Sequence, residues 1–110
     1  MNSNENKKDI QSELYAKFFS GFANPTRYKI IELLMGGEKT VGEIVEALNA
    51  SQSQISNHLA CLKWCGFVNS RQDGKFVYYT ITDSRVLEIV SLARSIVADN
   101  FEHISSCTRM

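Results

Sequence analysis

Cysteine and proline are scarce in this sequence, three and one among 110 residues. An odd number of cysteines does not suit a closed disulfide framework. The first eight residues, MNSNENKK, are polar and offer no apolar core for a secretory leader. Free thiols behind such a start point to the reducing cytoplasm. No eighteen apolar residues run together, so no membrane-spanning helix and no membrane partner are expected. Net charge is missing too, since 12 Lys and Arg cancel 12 Asp and Glu, and a nucleic-acid binder usually carries a basic footprint. The stretch from Ser51 to Thr82 leans basic, with Lys63, Arg71 and Lys75 against Asp73 alone, and the acidic residues sit mainly in the other segments. There is no phosphate-cradling glycine loop, no paired carboxylate site, and no histidine placed as base to a cysteine nucleophile. A thiol enzyme built on Cys61 or Cys65 is therefore the weakest reading, and no chemistry and no organic cofactor are expected.

What is present is 44% hydrophobic residues, enough for one modest core. Residues 9–103 read as one mainly helical domain with a small β-hairpin, between a flexible lead-in, 1–8, and a short tail, 104–110. Asp9 to Phe22 carries Ile10, Leu14, Phe18 and Phe22 near one helical face. Asn24-Pro25 supplies an N-cap and a proline at the first helical position, and Gly36-Gly37 closes the helix that follows. Thr40 to Glu43 and Ser51 to Gln54 both have the capping-box form and open two short helices separated only by Asn49-Ala50. That pairing is a helix-turn-helix pattern. Two strands around Asp73-Gly74 follow as a hairpin, and a last helix runs from about Asp83 to Phe101. The first and last helices expose more apolar surface than so small a core covers, which predicts a homodimer through these two helices.

In the second helix of the pair, Ile55, Leu59 and Leu62 share one face. Its first turns carry Ser51, Gln52, Ser53, Gln54, Ser56 and Asn57. Amides and hydroxyls there suit base edges and phosphates in a major groove, although serine and glutamine are also ordinary residues at a solvated helix start. A hairpin directly after this helix favours the DNA reading, with Arg71 and Lys75 flanking its tip as candidate phosphate contacts. His58, beside the apolar stripe, reads as a hydrogen-bonded boundary residue, and His103 as an exposed tail residue.

Cys61 and Cys65 stand one helical turn apart, away from the Ile55–Leu62 stripe. Their Cβ atoms are expected about 5–6 Å apart, beyond the roughly 3.8 Å of a disulfide. Two thiolates so placed can share one soft metal ion. Cys107, in a polar tail, is a candidate third ligand from its own subunit or the partner.

These residues together resemble the ArsR/SmtB family of metal-responsive transcriptional repressors. The resemblance rests on Ala23-Asn24-Pro25-Thr26-Arg27, on Ser51 through Leu59 with Leu62, on Gly66-Phe67-Val68, and on Arg71 through Tyr79. It implies a dimeric winged helix-turn-helix repressor that leaves double-stranded operator DNA when an inducer binds, with Gln52, Ser53, Ser56 and Asn57 at the base-contacting positions. The C-x-C pair of some arsenic and cadmium sensors would fall around Thr40 to Glu43, where no cysteine stands. A zinc-sensing histidine would fall at Arg85. Leu59 through Gly66 resembles instead the CmtR-like, cadmium/lead-sensing branch, which implies Cys61, Cys65 and Cys107 as ligands for Cd(II) or Pb(II), with Zn(II) also accommodated. A redox, persulfide or arsenite switch on the same thiols is the alternative.

Overall fold

The computed structural model describes residues 3–106 of the chain. Cys107 and most of the tail lie outside the described residues. The element order is α1 (Ser3–Ser20), α2 (Pro25–Leu34), β1 (Lys39–Thr40), α3 (Val41–Leu48), α4 (Gln52–Trp64), β2 (Val68–Asp73), β3 (Phe76–Ile81), α5 (Ser84–Asp99) and α6 (Phe101–Ser105). None of these helices is long and apolar enough to cross a membrane.

Local chemistry sets most of the boundaries. Asn24 Oδ1 accepts from the amides of Thr26 (2.8 Å) and Arg27 (3.1 Å), satisfying N–H groups that the start of α2 leaves without helical partners. Thr40 and Glu43 form a complete capping box at α3, and Ser51 and Gln54 form another at α4. Asn49 takes the left-handed conformation (φ 50°), so α3 stops and the chain re-enters α4 within three residues. Gly74 sits at positive φ in the hairpin turn that joins β2 to β3.

Three boundaries differ from the sequence expectation. α1 begins at Ser3 rather than Asp9: residues 3–8 contain no proline, glycine or β-branched side chain to stop a helix propagating through them. The last helix breaks at Asn100, whose side-chain amide donates back to the Ile96 carbonyl at 3.0 Å and competes with the helical ladder, leaving α6 as a separate short helix. β1 was not expected. Thr40 is an N-cap and therefore extended, and this aligns Lys39 and Thr40 opposite Tyr79 and Tyr78 on the open side of β3. The sheet is thus three-stranded and antiparallel, in the order β1-β3-β2.

The core is built from Ile30, Ile31 and Leu34 of α2, Ile44 of α3, Ile55, Leu59 and Leu62 of α4, and Phe67, Val68, Val86 and Val90. Phe67, fully buried, ties α1 to this core: its ring lies 4.6 Å from Phe18 and 4.5 Å from Phe22, centroid to centroid. A Cβ on Gly21 would fall 2.3 Å from Phe67 Cε2, so only glycine lets the end of α1 come this close. Farther out, Ile10, Leu14, Tyr15 and Phe19 of α1 and Leu92, Ile96 and Phe101 of α5 and α6 stay exposed.

Candidate nucleic-acid interface and thiol pair

α4 presents four different surroundings around its circumference. Ile55, Leu59 and Leu62 face the core and are completely buried. Gln52, Ser53, Ser56, Asn57, Ala60 and Trp64 are exposed, and Trp64 keeps 87% of its surface. The capping box occupies the Gln54 side chain, which accepts from the Ser51 amide at 3.3 Å. Gln52, Ser56 and Asn57 carry no such cap bond, while Ser53 Oγ lies 3.3 Å from Ser51 Oγ. All four side chains expected to face DNA therefore stand on the exposed front of the helix.

One flank of α4 faces the hairpin. Lys63 Nζ donates to Ser70 Oγ on β2 at 2.7 Å, and Ser56, Ala60, Lys63, Trp64 and Tyr79 line the cleft between helix and sheet. Lys75 lies next to the turn with its ammonium 5.4 Å above the Phe76 ring. Arg71 is differently placed. Its Nε and Nη2 donate to the two carboxylate oxygens of Glu38 at 2.8 and 2.7 Å, and its guanidinium covers the Tyr78 ring at 4.5 Å. Hydrogen bonding and charge from Arg71 hold the Glu38 carboxyl below its usual pKa. Sequence reading missed Glu38, since nothing local relates residues 33 positions apart; the unexpected β1 brings them together.

The opposite flank carries the thiols. Cys61 and Cys65 are both half-buried and stand one helical turn apart at the C-terminal end of α4. The helical projection put them opposite the apolar stripe, on the outer side of the rod. The structure corrects this: both are half-buried, and the end of α1 reaches Cys65. Cys65 caps α4, packs against the rim of the core, and its thiol donates to the Lys17 carbonyl at 3.7 Å. Burial pushes the Cys65 thiol pKa up, the neighbouring Cys61 adds to this, and Lys17 and Arg27 pull weakly the other way. His58 is half-buried on the same flank, where burial first and the Arg27 charge second lower its pKa and favour neutral imidazole. Arg27 reaches across to the Ser20 carbonyl at 2.8 Å. Among the described residues no three His, Cys, Asp or Glu side chains converge on one point. The pair thus provides two soft donors, and a third would have to come from outside the described residues or from a second chain. His103, at the end of the described chain, is exposed in α6.

Comparison with known proteins agrees with this arrangement. The sequence model of the arsR family of bacterial regulatory proteins matches residues 24–70, from the cap of α2 into β2. A Streptomyces lividans protein named as the probable repressor of a mercury resistance operon is 44% identical over 95 residues, which cover 86% of this chain and 76% of that protein. The Mycobacterium bovis regulator CmtR is 32% identical over 78 residues, covering 71% and 66% of the two chains. A homodimeric winged helix-turn-helix DNA-binding domain from Mycobacterium bovis superposes with a TM-score of 0.79 at 28% identity, over 100% of this chain and 99% of that one. A helix pair with its capping boxes, a hairpin wing and these relatives have one reading: the chain belongs to the arsR family of bacterial regulatory proteins, winged helix-turn-helix transcriptional regulators rather than enzymes.

Proposed function

We propose that this chain is a homodimeric repressor that binds operator DNA through α4 and the β2–β3 wing, and releases it when a soft metal ion of the Cd(II)/Pb(II) class is captured by Cys61, Cys65 and Cys107. The single observation that carries the proposal is the pair of adjacent thiols on the helix whose other end presents Gln52, Ser53, Ser56 and Asn57. Adjacent thiolates select soft ions, and Zn(II) is also accommodated. Lys75 neutralises phosphate beside the wing turn, as does Arg71 once freed from Glu38. The exposed apolar face of α1, α5 and α6 is the dimer contact, as the homodimeric neighbour suggests.

A second inducer, Hg(II), is favoured by a specific observation. The 44%-identical relative is named for mercury resistance, and two thiolates alone are the donor set the described residues provide. Persulfide or disulfide formation and arsenite capture remain rival uses of the same sulfurs.

The test combines two readouts. Fluorescence anisotropy on an operator duplex recovered by in vitro selection is expected to show a fall of about 5–150-fold in DNA affinity at saturating metal, the usual range for allosteric coupling. Cys61→Ser is expected to keep the metal-free DNA affinity and lose the response. Unchanged DNA affinity at saturating Cd(II), Pb(II) and Hg(II) refutes metal sensing. Ultraviolet thiolate-to-metal charge transfer in Cys107→Ser separates the inducers, because Cd(II) and Pb(II) need the third sulfur and Hg(II) keeps its pair.

A further inference from the structure

The wing holds an arginine that is not free. Arg71 stands two residues before the turn, on the strand face it shares with Asp73, and opposite Tyr78 in the register. Two of its N–H groups are committed to Glu38 in a parallel, bidentate geometry. Asp73 lies 3.7 Å from a third nitrogen. The hairpin itself carries Arg71 and Lys75 against Asp73, a net charge of +1, and Glu38, reaching in from outside it, offsets that charge.

We infer that Glu38 is an internal stand-in for DNA phosphate, which occupies Arg71 in the free protein and must be exchanged before the wing can engage the duplex fully. This rests on the DNA-binding reading and adds a residue that tunes its strength. Carboxylate and phosphate are recognised by the same guanidinium fork, so a phosphate fits where the Glu38 carboxylate now sits. Exchange is feasible because the pair is open to water, with Arg71 55% and Glu38 31% exposed, and exposed ion pairs hold weakly. Tyr78 lies under the guanidinium and keeps it near the wing whichever anion it binds. Lys75, which among the described residues lies over the Phe76 ring and is in no ion pair, needs no such exchange.

Counting phosphates tests this directly. Anisotropy titrations with a fluorescein-labelled duplex of mixed sequence, between about 50 and 200 mM salt, yield the slope of log affinity against log salt, which steepens by about 0.9 for each phosphate neutralised. In wild type the carboxylate displaced beside the duplex retains a cation and offsets the counterion that Arg71 releases, whereas Glu38→Gln frees one arginine in each of two wings with no such offset. Its slope is expected to be steeper than wild type by about 1.8, and its affinity gain from 200 down to 50 mM salt larger by about twelve-fold. Adding Arg71→Gln to Glu38→Gln should return the slope to the wild-type value. Glu38→Asp keeps the charge and should keep the wild-type slope, which separates loss of charge from damage to β1. A Glu38→Gln slope equal to or shallower than wild type, or a steeper slope that survives removal of Arg71, overturns the inference while the DNA-binding reading stands. If wild type and every variant fail to bind duplex at low salt, both fall together.

Discussion

Gly21→Ala is the most informative single change for the architecture, because the structure gives opposing effects that can be weighed. Gly21 does not adopt positive φ, so alanine fits its backbone and would gain about 0.4–1 kcal/mol by restricting the unfolded chain. Against this, the new methyl would lie 2.3 Å from Phe67 Cε2 and 2.9 Å from Cδ2, far inside contact distance. Phe67 is fully buried and held between Phe18 and Phe22, so its ring cannot swing aside without disturbing both. Overpacking of this kind costs about 1–3 kcal/mol, and the rigidity of the aromatic cluster places this site in the upper half of that range. The net expectation is a destabilisation of about 1–2 kcal/mol. Thermal denaturation followed by circular dichroism, at fixed protein concentration, should show Tm lowered by about 4–16 °C. Phe67→Leu in the same chain removes the ring edge that the methyl strikes, so the double variant should be more stable than the sum of the two single effects by at least about 0.5 kcal/mol. A Gly21→Ala protein as stable as wild type, or strictly additive double-variant energies, would refute the steric argument.

Other expectations follow from single contacts. Ser51→Ala removes the oxygen that accepts from Gln54 N at 3.2 Å and should cost about 1 kcal/mol in urea denaturation; no loss would mean that the α4 cap is dispensable. Asp83, hydrogen-bonded by the Arg85 side chain and amide, has its pKa lowered to about 2. A depressed carboxyl contributes its stability in full above the unfolded value near 4, and that contribution drains away as pH falls toward 2. Asp83→Asn should therefore lie below wild type at neutral pH and converge with it on acidification, and parallel curves down to pH 2 would exclude the linkage. Ile96→Glu, at a position 60% exposed on α5, should shift sedimentation from dimer to monomer; an unchanged sedimentation coefficient would move the dimer contact elsewhere.

The parts of this fold that were legible in sequence are those decided within four residues. Asn24-Pro25, Thr40 with Glu43 and Ser51 with Gln54 mark helix starts through side chains that bond their own backbone, and Asp73-Gly74 marks a turn by its tolerance of positive φ. The helical period likewise brought Ile55, Leu59 and Leu62 to the core. What escaped depends on neighbours brought in from afar. The projection of α4 separated Cys61 and Cys65 from the apolar stripe but carried no information on the end of α1, which reaches Cys65 at the Lys17 carbonyl. Arg71 read as a free cation because Glu38 reaches it only through the pairing of β1 with β3. The first helix read too short because the polar residues 3–8 give no periodic signal, and none of them is a proline or glycine that would stop a helix.

Cys65 sits at one end of α4 and Gln52 at the other. At 1.5 Å per residue the two are about 20 Å apart along a stiff arm. Pivoting that arm by about 5° about its sulfur end displaces the opposite tip by about 1.7 Å, more than the tolerance of a hydrogen bond to a base edge. A perturbation too small to alter the hydrophobic core can therefore be magnified, by length alone, into a misfit in the groove.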